Sequence, residues 1–306
     1  MPRQKVLMKM NFNEEITKRT EYANQVILKY IVSESGFQKQ IAEAMNYSIL
    51  AGGKRLRPVL LDSFYKLFGG ISDIKEPCMA AMEMLHTYSL VHDDLPAIDN
   101  DEFRRGFLTT HKKYGEACGI LAGDGLLHLA YETFIRAFEY GETDNVIKAL
   151  RIFGNKTGIC GMFGGQSADV LHTGEDISNE LMYYIYEKKT GALIEASMMI
   201  GAVLAGCDDE ELIIVEKIGK LVGLAFQIKD DILDVTGDEK ELGKPLNSDI
   251  KNNKKTYLSV NGQEKSEEDV LKFSNEASQL LNNIGSDSDE RRFLTALIEY
   301  LTGRNK

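Results

Sequence analysis

Two runs of aspartate hold the most reactive pattern in this chain: Asp93-Asp94-Leu-Pro-Ala-Ile-Asp99 and Asp230-Asp231-Ile-Leu-Asp234. Crowded carboxylates repel one another and are costly to keep beside apolar surface. At about 4 Å and an effective dielectric of about 20, two like charges cost roughly 4 kcal/mol. A chain that does this twice is expected to bring both runs to one site, where divalent cations neutralise them. All-oxygen acidic sites suit Mg²⁺, which typically bridges one or two carboxylates to substrate phosphates. The chemistry expected is metal-assisted work on a diphosphate.

On a helix, Asp230 and Asp234 lie one turn apart on one face, with Gln227 a turn earlier. Asp93 and Asp94 close a mostly apolar stretch, Met82 to His92, and Asp99 lies beyond Pro96. The chain must turn there for Asp99 to join the others. Carboxylates at a helix C-terminus also face the unfavourable end of its dipole, which again calls for a cation.

Cationic groups punctuate the same chain. They are Gly52-Gly53-Lys54-Arg55-Leu-Arg57-Pro, Arg104-Arg105-Gly106, Lys188-Lys189-Thr190-Gly191, and Lys244 and Lys254 at either side of a polar stretch. Arg offers a planar fork to phosphate oxygens and Lys a mobile point charge. Most such pairs are merely solvated, but Lys189 sits in an apolar region, where a charge needs a partner. Gly52-Gly53-Lys54 is not a Walker A loop, since Arg55 stands where Ser or Thr is required. Gly161-Met-Phe-Gly164-Gly165-Gln166 suits either a helix-packing turn or close approach of a ligand. The histidines show no zinc spacing. His86 shares a helix face with Asp93 and reads, taken alone, as a core histidine.

The elements that must position these groups are helical. Helices are expected from an Asn13 cap to about Val32, Phe37 to Ala51, Pro58 to Gly69, and Pro77 to the first aspartates. Others cover Gly115 to Tyr140, Asp144 to Gly158, Asn179 to Ala205, Asp208 to Asp234, and Val270 to Ile284. Strand-like alternation and hairpin turns are scarce, so the fold class is all-α. The 306 residues, 43% hydrophobic, show no linker and no repeat and read as one domain, 1–306. The polar, lysine-rich stretch Gly237 to Lys255 is a long loop beside the second aspartate run.

A formal charge of -11 argues against nucleic-acid binding. The four cysteines are spread along the chain and read as reduced thiols. The start lacks a signal-peptide core, and the most apolar segment, Thr190 to Gly206, carries Glu195 and is short for a bilayer span. A cytoplasmic protein with no membrane insertion is the expectation.

Taken in order, Gly-Gly-Lys54-Arg55-Leu-Arg57-Pro, Leu-Val-His-Asp93-Asp94-Leu-Pro-Ala-Ile-Asp99, Arg104-Arg105-Gly106, Lys189-Thr190-Gly and Phe226-Gln227-Ile-Lys-Asp230-Asp231-Ile-Leu-Asp234 resemble the trans-isoprenyl diphosphate synthases, most of all the bacterial farnesyl diphosphate synthases. The likeness covers roughly residues 40 to 260. It implies an all-helical bundle around a deep cavity, a homodimer, and three Mg²⁺ ions. By that resemblance Asp93, Asp99 and Asp230 hold the metals against an allylic diphosphate (dimethylallyl or geranyl), assisted by Asp94, Asp231 and Asp234. Arg104, Lys189, Thr190, Gln227, Lys244 and Lys254 match positions that contact the allylic substrate; Lys54, Arg57, His86 and Arg105 match those that hold isopentenyl diphosphate. Tyr88, with Ser89 beside it, matches the place where an aromatic accompanies a farnesyl product.

Asn100 and Gly125 depart from the residues usual in the family, aspartate and alanine, and Arg304 and Lys306 only loosely match its basic tail. A geranylgeranyl or other short-chain synthase is the alternative product reading. A terpene cyclase leaves the second cationic set without a purpose. A non-catalytic regulatory subunit or a lipid-binding helical protein would not keep both aspartate runs intact.

Overall fold

The structure, a computed structural model, describes residues 11–141, 143–237, 255–286 and 288–303. Fourteen α-helices are assigned among them, with one 3₁₀ turn, one π-helical turn and one two-residue-stranded hairpin. The chain begins with α1 (Phe12–Leu28), α2 (Lys39–Leu50), α3 (Leu56–Leu67) and α4 (Lys75–Asp93). Strands β1 (Phe103–Arg104) and β2 (Phe107–Leu108) pair antiparallel before α5 (Thr110–Tyr114) and α6 (Glu116–Ile135). Next come α7 (Thr143–Thr157), α8 (Met162–Leu171), α9 (Asn179–Ile185), the π turn Tyr186–Gly191, α10 (Ala192–Leu204) and α11 (Asp209–Thr236). The last helices are α12 (Tyr257–Asn261), α13 (Gln263–Leu281) and α14 (Asp289–Gly303).

Helix α10 is the axis of the bundle. Every residue from Ala192 to Leu204 is buried, as expected of a helix apolar on all sides. It packs against α3, α7 and α11, and α4 packs against α6. Gly201 lets α3 and α10 touch, for a Cβ there would lie 2.3 Å from the Leu61 carbonyl. The charge that seemed out of place in this segment, Glu195, is paired: Lys156 of α7 donates to it and, at 2.7 Å, to Glu216 of α11. All four cysteines are free thiols. No helix among the described residues is long and apolar enough to cross a membrane.

Several boundaries differ from expectation. The α1 cap is Asn11, not Asn13. Pro58 and Pro77 are each the third residue of their helices, still within the first turn where a missing N–H costs nothing. The expected Asn179–Ala205 helix is broken by the π turn, and the glycine-rich segment at Gly161 starts α8. Apart from its ends, the polar stretch Gly237 to Lys255 lies outside the described residues, as do Lys244, Lys254, Arg304 and Lys306.

Candidate active site

Helices α4 and α11 each carry an aspartate run at the C-terminal end. Asp93 is the last residue of α4 and Asp94 its cap; Asp230, Asp231 and Asp234 occupy the last two turns of α11. Helix α11 holds its long course from a capping box, Asp208 with Glu211. After Pro96 the chain folds back, so that the Asp99 N–H donates to the Asp93 carbonyl at 2.9 Å. The turn that Asp99 needed is therefore present. Asn100 closes it at φ 53, a left-handed conformation that Asn tolerates better than most residues.

Asp93 is pushed up to about 6, first by burial, then by the charges of Asp99 and Asp94, with Lys189 and Arg104 pulling the other way. Asp94 is also raised, chiefly by burial, although Arg104 meets its Oδ1 through Nε at 2.7 Å and Nη2 at 2.6 Å. Arg104 stands on β1, and the hairpin turn that places it puts both Arg105 and Gly106 at positive φ.

A polar relay joins the two runs through α8 and the π turn. Gln166 Nε2 of α8 donates to Asp93 Oδ1, and Asp169, one turn on, accepts from Lys189 Nζ at 2.6 Å. Thr190 Oγ1 donates to Gln227 Oε1 at 2.8 Å, which reaches α11 one turn before Asp230 and Asp231. The wide π turn sets Lys189 and Thr190 facing these two helices. Glycines permit the contact: a Cβ on Gly165 would lie 2.2 Å from the Lys189 nitrogen, and one on Gly223 2.8 Å from the Gly191 Cα. Gln166 and Asp169 were not among the expected site residues. Their only sequence signal is a polar pair three residues apart, Gln166 closing the glycine-rich segment and Asp169 just beyond it.

Asp231 is set differently from its neighbours. It is buried, and its Oδ2 accepts from the Tyr186 hydroxyl and, at 3.0 Å, from the Tyr257 N–H. It anchors the π turn and α12 to α11. Asp234 is also buried, whereas Asp230 is partly exposed and Asp99 exposed.

The second cationic set gathers in one cavity of about 570 Å³, lined by Lys54, Arg57, His86, Arg105 and Phe226, with α1 and α14 supplying Ile16, Thr17, Leu297 and Tyr300. Gly52 and Gly53, both at positive φ, form the turn that leads into α3. Arg105 lies against them, donating to the Gly52 carbonyl, and a Cβ on Gly53 would lie 2.6 Å from its guanidinium. Arg55 turns inward instead, bonding Glu83 at 2.7 Å and the Ile49 carbonyl at 2.7 Å. Arg57 Nε is buried with no hydrogen-bond partner in the structure, and burial pulls this guanidinium down to about 10, so it stays charged at neutral pH. A buried guanidinium edge without an acceptor fits an anion. His86 is held well below its ordinary value, first by burial and then by Arg57 and Arg105, and is neutral. Phe226 adjoins Gln227, which places this cavity next to the second aspartate run.

Tyr88 is buried, with its ring edge-on to His92 at 5.1 Å. Burial raises its phenol first, then the charges of Asp93, Asp124 and Tyr131, and the ring belongs to the apolar core against which Leu127 and Tyr131 of α6 also pack. The Ser89 hydroxyl bonds back to the His86 carbonyl at 2.9 Å.

Among the described residues no three His, Cys, Asp or Glu side chains form a closed metal cage. Mg²⁺ does not require one, since phosphate oxygens and waters complete its shell. An all-oxygen donor set in which burial and like charges raise Asp93 fits such an ion.

The chain matches the family model described as polyprenyl synthetase over residues 38–301. It is 37% identical over 300 residues to the farnesyl diphosphate synthase of Escherichia coli, covering 97% of this chain and all of that protein. It is 42% identical over 270 residues to the large subunit 1 of a heterodimeric geranylgeranyl pyrophosphate synthase of Arabidopsis thaliana, covering 87% of this chain and 72% of that one. Among solved structures it superposes on the geranyltransferase of Helicobacter pylori, complexed with magnesium and isoprenyl diphosphate, with TM-score 0.84 and 29% identity over 97% of this chain and 99% of that one. Two aspartate-bearing helix ends joined by a polar relay, a separate basic cavity and these likenesses lead to one assignment: the chain belongs to the polyprenyl synthetase family.

Proposed function

We propose that the chain is a farnesyl diphosphate synthase, joining isopentenyl diphosphate head-to-tail to dimethylallyl or geranyl diphosphate. The observation that carries this is the basic cavity, distinct from the aspartate runs and next to them, which supplies a second diphosphate site. A terpene cyclase would have no use for it. Relatives bear both farnesyl and geranylgeranyl names. Tyr88, five residues before Asp93 on α4, favours the shorter product.

Lys189, Thr190, Gln227 and Arg104 bind and orient the allylic diphosphate, with Lys244 and Lys254 as further contacts. Mg²⁺, held by Asp93, Asp99 and Asp230 with Asp94 and Asp234 in support, supplies Lewis-acid stabilisation of the leaving diphosphate when bound; three ions per site are part of this reading. Asp231 positions the π turn. The allylic C–O bond breaks with its electron pair leaving on pyrophosphate. Lys54, Arg57, Arg105 and neutral His86 hold isopentenyl diphosphate with its double bond toward the allylic cation. That double bond supplies the electrons of the new C–C bond, and a proton then passes to pyrophosphate. No side-chain nucleophile is needed.

A homodimer in the cytoplasm completes the reading. Helix α6 packs one side on α4 and leaves Ile120, Leu121 and Ile135 exposed among Asp124, His128 and Glu132, a mixed apolar and charged face open to a second copy. The test is incubation with Mg²⁺, isopentenyl diphosphate and each short allylic diphosphate, with the products identified by mass. Farnesyl diphosphate is expected. A geranylgeranyl product would move the assignment to the alternative, and no condensation would end it.

A further inference from the structure

One hairpin carries cations of both substrate sites. Arg104, on β1, meets Asp94 beside the first aspartate run. Arg105, in the turn, donates to the Gly52 carbonyl and lines the basic cavity. Both sites therefore depend on where this hairpin stands. Apolar packing does little to fix it, because Phe103, Phe107 and Leu108 are all exposed. A lone two-stranded hairpin is marginal in water, so contacts from outside must set its place. The bonds of Arg104 and Arg105 cannot do this through a reaction cycle, since diphosphate oxygens compete for the same guanidinium donors.

Helix α2 supplies a brace that no substrate competes for. The Tyr47 hydroxyl donates to the Leu108 carbonyl of β2 at 2.7 Å. One residue on, Ser48 Oγ lies 2.7 Å from Thr110 Oγ1, and both residues are buried. Thr109 closes the base of the hairpin: its N–H donates to the Glu102 carbonyl at 3.0 Å and its hydroxyl to the Asp101 carbonyl at 2.7 Å. The Tyr47 ring is itself held by α5. It meets the Tyr114 ring edge-on at 5.6 Å, and Lys113 Nζ stands 3.6 Å from its centroid. Beyond its C-cap, Ala51, α2 runs straight into the Gly52–Gly53 turn. The brace of the hairpin and the landing place of Arg105 thus belong to one stretch of chain.

We propose that Tyr47 is a positioning residue for both substrates: by holding β2 it sets Arg104 and Arg105 together. The inference rests on the reading that these two arginines serve different diphosphates. Loss of either arginine disturbs one half-site, whereas a shift of the hairpin that carries them disturbs both.

The test is Tyr47→Phe, which keeps the ring and its stacking and removes only the donor. Two readouts are compared with wild type: hydrogen–deuterium exchange of the amides of residues 102–109, and steady-state kinetics with each substrate varied. Exchange should quicken about threefold to tenfold, the worth of one hydrogen bond. KM for isopentenyl diphosphate and KM for the allylic diphosphate should rise together by about the same factor, with kcat changing less than either and the melting temperature nearly constant. Lys113→Ala, at an exposed position over the ring, takes its place with the same readouts if Tyr47→Phe does not fold. Unchanged exchange, a rise in only one KM, or constant KM values overturns the positioning role. A wild type that makes no prenyl product overturns the functional reading and the two-site role with it, while quickened exchange in the variant would still establish the brace.

Discussion

Asp93 combines burial with like-charged neighbours, and burial is the larger cause of its rise to about 6. Because the folded value lies above the unfolded one, the ionised carboxylate is a cost to the fold. That cost is absent below about pH 4 and complete above about pH 6. Without divalent cations, Asp93→Asn should therefore raise the melting temperature at neutral pH and leave it unchanged near pH 4. With Mg²⁺ and substrates, the same variant should lose about a hundredfold or more in turnover, and the pH profile of wild-type turnover should lie at lower pH than the cation-free melting profile, because a bound cation favours the ionised carboxylate. Equal melting curves at neutral pH would show that the electrostatic reading of Asp93 is wrong. The two cationic sets separate in the same way. Arg57→Ala should raise KM for isopentenyl diphosphate about tenfold or more, since a charged hydrogen bond is worth roughly 1.5–3 kcal/mol. Lys189→Ala should act on the allylic substrate instead, and steady-state kinetics with each substrate varied would expose a misassignment. His86 is neutral, so it should add no step to these profiles. These residues were legible because ionised groups in apolar sequence are costly and demand a reason. Gln166 and Asp169 were not, because a neutral amide and one carboxylate among glycines look like an ordinary helix surface.

At the scale of elements, α4 and α11 could be read from periodicity and from the aspartates that end them. The π turn could not. Six residues of wider helix leave no period of their own, and Lys189 announced itself only as a charge in an apolar stretch. The β1–β2 hairpin escaped for a similar reason: two-residue strands show no alternation, and Arg105-Gly106 lacks the usual Asn-Gly turn signature. What fixes the π turn is the bare backbone of Gly165 and Gly223 against it. Gly165→Ala would put a methyl group 2.2 Å from the Lys189 nitrogen, a backbone atom that cannot rotate away. The expected cost is roughly 1–3 kcal/mol of stability, the range for overpacking. Lys189 and Thr190 should shift with the backbone, raising KM for the allylic diphosphate while that for isopentenyl diphosphate holds. Changes of equal size in both would mean that the π turn is not specific to the allylic side.

For the molecule as a whole, the all-α architecture follows from composition and periodicity, but its closure does not. The first and last described helices meet where the sequence gives no local cue: Arg19 of α1 holds Glu290 of α14 through Nη1 at 2.5 Å and Nη2 at 2.9 Å. Its Nε also meets Glu15 at 2.7 Å, Nη1 meets Ser63 of α3 at 3.0 Å, and its guanidinium carbon lies 3.9 Å from the Phe293 ring centroid. Arg19 is only 9% exposed, so solvent cannot replace these bonds. Removing one partner of such a buried pair strands the other, a loss of roughly 3–5 kcal/mol. Burial opposes the charge on Arg19, yet its carboxylate partners win and raise its value, so the pair persists through neutral and alkaline pH. Because α1 and α14 also wall the basic cavity through Ile16, Thr17, Leu297 and Tyr300, the clasp should support substrate binding as well as stability. Arg19→Met is expected to lower stability by roughly 3 kcal/mol in urea unfolding and to raise KM for isopentenyl diphosphate, leaving the allylic KM nearly constant. Glu290→Gln, which keeps part of the hydrogen bonding, should do less of both. Loss of stability with both KM values unchanged would confine Arg19 to the scaffold and separate the clasp from the cavity beside it.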